Sequence, residues 1–411
     1  MSRAFAGPVA LLALGAASIP LAAPGHEFIP GAAGDAPRWV LGPFGEGFGL
    51  DGPIYGVLLY IAFLAYLGVL ATAARLRARL VWVSIAILVT GFGLAGPLLS
   101  LDVFSYITYA RLGAEHGLNP YDSAPADLPS DPAASRVDDW RFAVSVYGPA
   151  FTLASYPLGL VGVPVALWAL KAASALAVLG ICALTAWIAA ARGVRPTTAA
   201  AFVALNPLVL VHVIGGAHND AVMMLVVLAG VAAALAARGG LAGVSLVSGA
   251  AVKVSGAFAA PFALVGSQRR ARIVAGGLAA ATLIGVATLA AFGGEAAEAL
   301  GLAGGNQAKT SYWSIPSTVS RLTGIGIDPV RFAFLAGFAA LVVCLLVWTA
   351  RGGDWVRAAG WAVLGLLVAT AWLVPWYLIW ALPLAAVARD PWLAGGTLAL
   401  SAFQLPNGVP G

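Results

Sequence analysis

An all-α protein that threads a lipid bilayer many times is what this sequence predicts, and three observations carry the prediction. Hydrophobic residues fill 61% of the 411 positions and charged residues only 9%, whereas an ordinary soluble domain carries about 25% charged residues. So few charges cannot cover a water-facing surface of this size. Apolar runs of about 18 residues or more recur along the chain, long enough to cross a hydrocarbon core as helices. The polar residues, finally, are gathered rather than scattered. The stretch 101–149 alone holds seven of the 17 acidic residues: Asp102, Glu115, Asp122, Asp127, Asp131, Asp138 and Asp139. The formal charge of +5 is small and lies mostly in short arginine clusters. It therefore reports topology rather than nucleic-acid binding. Cys182 and Cys344 lie inside apolar runs and read as small core residues, not a disulfide or a metal pair.

Taken in order, the first run covers roughly 7–23, after Arg3. Its end, PLAAPG, also has the small residues of a signal-peptide cleavage point, but the length of the run favours a retained helix. A Gly- and Pro-rich loop leads to Pro53, and runs at 54–74 and 80–99 follow. Arg75, Arg77 and Arg79 between them place that short loop in the cytoplasm, so the loop 101–149 lies outside. The later arginines act as a parity check. Residues 150–161 contain Pro157 and form a surface or re-entrant helix; 164–190 crosses to Arg192 and Arg195. Residues 197–214 go out and 219–237 return to Arg238. If 241–265 crossed once, Arg269, Arg270 and Arg272 would land outside. A broken hairpin removes the conflict, with one half-helix up, a turn near Lys253 and a second half-helix back past Pro261. Non-helical backbone at that depth is tolerated only where it is buried in protein or lines a cavity. The runs 273–292, 330–350, 356–373, 376–388 and a last one from about 392 complete the chain. The expectation is one domain, 1–411, of about 11 spanning helices plus one broken re-entrant hairpin. The large first outer loop carries juxtamembrane helices, and the loops 101–149 and 293–329 make the functional face. Ser123 and Gln307 should face outside and Arg77, Arg195 and Arg270 inside.

The dense polar signals all fall on the outer side of this scheme. Asp102 follows directly on an apolar run, where a carboxylate is costly unless used or paired. Tyr106 and Tyr109 follow at i+4 and i+7 and share a helical face with it, with Arg111 close behind. Asp102 is also well placed to cap a helix starting near Val103. Asn119-Pro120-Tyr121 is a turn signal. Tyr147-Gly148-Pro149 closes the loop. His218-Asn219-Asp220 opens a helix at its outer end. Asn219 suits a cap there, and the group could also hold a sugar hydroxyl or a phosphate. Lys253 at the hairpin turn either snorkels or binds an anion. Trp313, Trp376 and Tyr377 are either interface-belt aromatics or faces on which a sugar stacks, and Arg321 lies near Trp313. Within the spans Lys171 and Lys253 are the main ionisable residues. No metal or cofactor pattern is visible, and no Walker loop or dinucleotide fingerprint, which argues against a nucleotide-driven enzyme in the cytoplasm.

An Asp just after a span, a Tyr four later, then GLNPY, then a Trp and YGP resembles the membrane glycosyltransferases of the type-C fold (GT-C). The later pieces NPLVLVHVIGGAHND, AAVKVSG, TSYWSIPS and PWYLIWALPLA extend the likeness over roughly 98–390. They are most similar to the actinobacterial mannosyltransferases that extend the 1,6-linked mannan core of lipomannan. The resemblance implies a polyprenyl-phosphate sugar donor, most often mannose, a glycolipid or lipoglycan acceptor, and an active site on the outer face of the plasma membrane. It also implies that Asp102 is the catalytic base. Lys253, Arg111, Arg321 and His218 would then be phosphate partners. Tyr106, Asn119, Tyr121, Tyr147, Asn219, Asp220, Trp313, Trp376 and Tyr377 would position the substrates. One base and a good leaving group suit a single inverting displacement; a retaining route needs a second carboxyl group beside the first. A transporter or flippase of a lipid-linked sugar is the alternative, which would place ionisable groups at mid-membrane in a repeated set of spans. A scaffold without chemistry is a third reading, with the outer polar groups serving as caps and loop solvation.

Overall fold

The computed structural model describes residues 5–30, 37–138, 140–297 and 309–411, and every regular element among them is helical. Arg3, Asp139, Gln307 and part of the 293–329 loop lie outside the described residues. In chain order the main helices are α1 (Ala6–Ala22), α2 (Gly52–Thr72), α3 (Ala78–Leu94), α4 (Asp102–Ala114), α5 (Pro149–Gly159), α6 (Val163–Ala191) and α7 (Pro196–Ala204). Then come α8 (Asp220–Leu235), α9 (Gly239–Val252), α10 (Ala260–Gly266), α11 (Arg270–Phe292), α12 (Ile315–Thr323), α13 (Ile327–Ala350), α14 (Trp355–Ala369), α15 (Leu382–Val387) and α16 (Pro391–Gln404).

Four of these are long and apolar enough to cross a bilayer by themselves: α2 with its extension to Arg75, α6, α11 and α13. The most apolar windows of α11 and α13 are only 11% and 6% buried within the protein, so lipid must solvate nearly their whole circumference. The remaining apolar helices are shorter, and the predicted count of about 11 is not matched by full-length helices among the described residues. What stands is an all-helical, polytopic membrane protein.

Three predicted runs are not single helices over their whole length. The run 80–99 stops being helical after Leu94, and residues 95–101 run on without regular structure. Pro97 has no N–H to donate and pushes Gly96 out of the helical region. The run 197–214 is not one helix either. It breaks between α7 and a π-helix, Val209–Gly215, with a bend of 65°. Pro207 removes a donor at the break, and the Asn206 side-chain oxygen takes the Leu208 N–H at 3.0 Å. The run 376–388 likewise divides into a 3₁₀ turn, Pro375–Trp380, and α15.

The chain forms two compact units. The first comprises Met1–Ser145, Thr152–Val222 and Leu405–Gly411. In it α1 packs on α2, and α6 packs on α3 and α7. Arg195 donates to the Ala74 carbonyl. The arginines at 75–79 and at 192–195 therefore lie at one end of this unit, as the parity scheme requires.

The second unit comprises Val146–Phe151 and Met223–Gln404. Its organising feature is the hairpin. Helix α9 stops at Lys253, whose backbone is extended (φ −157°, ψ 131°). A 3₁₀ turn, Val254–Ala259, and α10 then lead the chain back. Gly239, the first residue of α9, lies against Arg269 and Arg272. The hairpin thus leaves from and returns to one end of the unit, and α9 and α11 run side by side from it. Their backbones touch, since a Cβ added at Gly243 would come within 1.9 Å of the Ile273 carbonyl. Small residues at such a contact are how helices associate in lipid, where the hydrophobic effect offers no drive. Gly266 at the end of α10 meets Trp355 at the start of α14. Arg357 joins Asp390 across the same end at 2.6 Å. The arginines from 269 to 272, and those at 351, 357 and 389, are thereby gathered at one end as well.

Candidate functional site

In the first unit two chain breaks converge. Before α4, the Leu98 N–H donates to the Gly215 carbonyl at 3.0 Å and the Leu99 N–H to the Phe28 carbonyl at 2.9 Å. After the π-helix, the His218 N–H donates to the Val213 carbonyl at 3.0 Å. Leu99 and Ala217 both hold φ at 57°, left-handed conformations that side-chain-bearing residues rarely adopt. Two of the four such residues among those described therefore flank this one place, and strained backbone of this kind concentrates at functional sites. Gly216 is required beside them, because a Cβ there would lie 2.6 Å from His218 Nε2.

The result is a carboxylate–imidazole pair. Asp102 Oδ2 lies 3.4 Å from His218 Nδ1, with the imidazole fully enclosed and the carboxylate side chain 17% exposed. One turn along α4, the Tyr106 hydroxyl donates to Asn219 Oδ1 and accepts the Asn219 backbone N–H, both at 3.4 Å. Asn219 is buried, and its side-chain nitrogen has no hydrogen-bond partner among the described residues. Asp220 opens α8 fully buried. Tyr109 donates to the Ala143 carbonyl at 2.8 Å. Burial, and then the Asp102 charge, hold its hydroxyl protonated well above the usual tyrosine range. The expected cap is absent. Asp102 is the first helical residue and makes no side-chain cap bond. The Ser100 hydroxyl instead accepts the Asp102 N–H at 3.2 Å.

Other predicted residues of this unit serve the loop that follows. Arg111 donates to Asp131 at 2.8 Å and pairs with Glu115 at 2.6 Å. Its guanidinium is committed to two carboxylates. Asp131 also accepts from His116 at 3.3 Å and from the backbone N–H groups of Ala133 and Ala134 at 2.8 and 3.2 Å. Burial raises the Asp131 pKa, but the Arg111 bond, the two backbone bonds and His116 together outweigh it and hold the carboxyl below its ordinary value. The ligand atoms of Glu115, His116 and Asp131 lie within 4.8 Å of one another. That donor set suits a divalent cation, although Arg111 already supplies counter-charge to both carboxylates. Nothing in the sequence joined Asp131 to residues near 111, since only the fold of the loop does so. Asn119 is a turn residue, its side chain accepting the Tyr121 N–H at 3.1 Å. The Tyr121 hydroxyl meets Thr152 at 3.0 Å, and burial pushes its pKa up to about 12.

In the second unit the structure joins Lys253 to aromatic residues that the sequence had kept apart. Its ammonium lies 4.7 Å from the Tyr377 ring centroid and 5.7 Å from that of Trp380. Tyr377 and Trp380 stack at 4.2 Å, because a 3₁₀ helix eclipses residues i and i+3. Trp376 meets Tyr377 edge-on at 6.4 Å. Trp380 was overlooked, although its spacing from Tyr377 was the available signal. The Gly148 N–H donates to the Val252 carbonyl at 3.1 Å, and Tyr147 packs edge-on against Phe151. Trp313 lies edge-on to both Tyr312 and Phe403, and its carbonyl takes a bond from Gln404. Arg321 stacks 3.7 Å over Tyr312 and, with Ser311, Ser317 and Ser320, lines a cavity of about 330 Å³.

In a polytopic helical protein, an accessible carboxylate beside an enclosed imidazole is equipped to take a proton, as a membrane-embedded transferase must. Comparison with known proteins makes this specific. The family model described as "Alpha-(1->6)-mannopyranosyltransferase, N-terminal domain" matches residues 12–269, and that of "Glycosyltransferase family 87" matches residues 146–400. The chain belongs to the alpha-(1->6)-mannopyranosyltransferase family and is a membrane hexosyltransferase. It is 30% identical over 388 residues to alpha-(1->6)-mannopyranosyltransferase A of Mycobacterium tuberculosis, covering 84% of this chain and 72% of that protein. It is 28% identical over 375 residues to alpha-(1->6)-mannopyranosyltransferase B of Corynebacterium glutamicum, covering 77% of this chain and 61% of that one. A shorter match, 33% over 174 residues, joins it to alpha-(1->6)-mannopyranosyltransferase A of Corynebacterium glutamicum, covering 41% of this chain and 35% of the relative. No solved structure matches the chain.

Proposed function

We propose that this protein transfers mannose from a polyprenyl-phosphate donor to a glycolipid or lipoglycan acceptor, with inversion, at the extracytoplasmic face of the plasma membrane. The observation that carries the proposal is the Asp102–His218 pair, in which Asp102 alone keeps solvent exposure. A base must touch the hydroxyl it deprotonates, so Asp102 is the base and His218 orients its carboxylate. Asp102 takes the acceptor proton as the acceptor oxygen bonds to the sugar's anomeric carbon. The bond from that carbon to the phosphate oxygen breaks, and polyprenyl phosphate leaves with the electron pair. Asn219 offers its amide nitrogen to a sugar hydroxyl beside Asp102. In the second unit, Lys253 has the charge to hold a phosphate, and its aromatic neighbours offer faces for a sugar or a polyprenyl chain.

The gathering of arginines at one end of each unit supports the sidedness, because basic loops stay in the cytoplasm. Purified protein in detergent, given polyprenyl-phosphate mannose and a mannolipid acceptor, should extend the acceptor by one hexose. Extension from a nucleotide-activated mannose but not from the lipid-linked donor would overturn the donor assignment.

A further inference from the structure

Lys171 is the ninth residue of the 29-residue α6, inside the apolar span, and is fully buried. A charged group at such a place in a membrane protein is a functional hypothesis by default. An ammonium has three donors and no acceptor. All three are used, on the carbonyls of Phe92, Ile214 and Gly215 at 2.9, 2.9 and 2.8 Å. One turn along α6, Ser174 donates to the Val213 carbonyl at 3.0 Å. The last three carbonyls of the π-helix, Val213 to Gly215, are thus each held by a side chain of α6 as well as by a backbone N–H.

The Gly215 carbonyl is the node. It accepts Lys171 and, at 3.0 Å, the Leu98 N–H. Leu98 lies four residues before Asp102, and Gly215 three before His218. The two strained approaches to the pair therefore meet on one carbonyl, and Lys171 fixes that carbonyl from behind. Phe92, its third acceptor, belongs to α3, the helix that leads to Leu98. We propose that Lys171 is a positioning residue for transfer, setting the distance and angle between Asp102 and His218 without touching substrate. This rests on the reading of Asp102 as the base.

A misplacement of about 1 Å by a distant mutation can cost on the order of 100-fold in rate. Lys171→Met removes all three bonds, while Lys171→Arg keeps the charge but replaces a tetrahedral donor with a planar fork. Thr72→Val is the control for stability alone. It deletes another bond of the same unit, from the Thr72 hydroxyl to the Gly68 carbonyl at 2.7 Å, at the end where the arginines gather. All three are assayed per folded molecule in detergent with polyprenyl-phosphate mannose and a mannolipid, beside Asp102→Asn. The expected result is kcat about 10- to 100-fold lower in the Lys171 variants, with both KM values within about twofold of the parent, and an unchanged kcat in Thr72→Val. A folded Lys171→Met with parental kcat, or a loss confined to KM, overturns the positioning role. So does failure of both Lys171 variants to fold, which would make Lys171 a folding anchor only. An active Asp102→Asn is a separate outcome that removes the base assignment itself.

Discussion

Ser100, and not Asp102, receives the first free N–H of α4, so substitutions at Asp102 leave the cap in place. What the helix loses is a negative charge in its first turn, worth about 0.3–1 kcal/mol. Asp102→Asn and Asp102→Ala should both purify and melt nearly as the parent does. Both should lose about 10²- to 10⁴-fold in turnover, the usual contribution of a general base. Melting curves together with turnover check this, and parental turnover in the Asn variant would exclude the base. Asp131 behaves differently. Its carboxyl is held below its ordinary value, so the stability it adds is fully present above an unfolded pKa of about 3.9. That stability is lost as pH falls through the lower folded value. Asp131→Asn removes one partner of Arg111 while Glu115 remains, so the loss should fall below about 3–5 kcal/mol, the cost of a fully orphaned buried charge. The variant should melt lower than the parent at pH 7, and the gap should close below about pH 4. A gap that persists unchanged at acid pH would contradict the ion-pair account. Asp102 and His218 were each legible in the sequence because each stands at the end of an apolar run. Their pairing was not, since 115 residues separate them and only the tertiary fold brings them together.

The hairpin was legible because keeping every arginine loop on the cytoplasmic side required it, and Lys253 marked its turn. The break at Asn206-Pro207 was equally punctuated, yet the apolar run around it concealed the turn signal. Partners were the harder part. Lys253 sits by Tyr377 and Trp380 because two separate turns, one extended and one 3₁₀, end together. Hydrogen bonds to charged groups contribute about 1.5–3 kcal/mol. If Lys253 meets the donor phosphate, Lys253→Ala should therefore lower kcat/KM for the donor by about 10- to 100-fold and leave the acceptor KM nearly unchanged. Initial rates with each substrate varied in turn decide the matter. Unchanged donor kinetics would reduce Lys253 to a cation held over aromatic rings.

At the scale of the molecule, composition alone announced a membrane protein, and helices such as α6, α11 and α13 fell where the apolar runs lay. The two compact units were not legible, because no linker or shift in composition separates them; the second even takes Val146–Phe151 from within the first. Sidedness is open to direct test. With Cys182 and Cys344 replaced, single cysteines at positions 77, 123, 195 and 270 can be probed in intact cells with a membrane-impermeant thiol reagent. Position 123 should react and the other three should not. Labelling at 77 with none at 123 would invert the whole arrangement.

The left-handed turn at Ala217 implies a trade-off between robustness and rate. A residue bearing a side chain pays about 1–2 kcal/mol to hold that conformation, and glycine does not. Ala217→Gly should therefore raise the melting temperature. It would also create a run of three glycines, 215 to 217, free to wander where the parent turn is confined. The variant should consequently be hardier in a thermal scan and slower in the transferase assay, the two readouts moving in opposite directions.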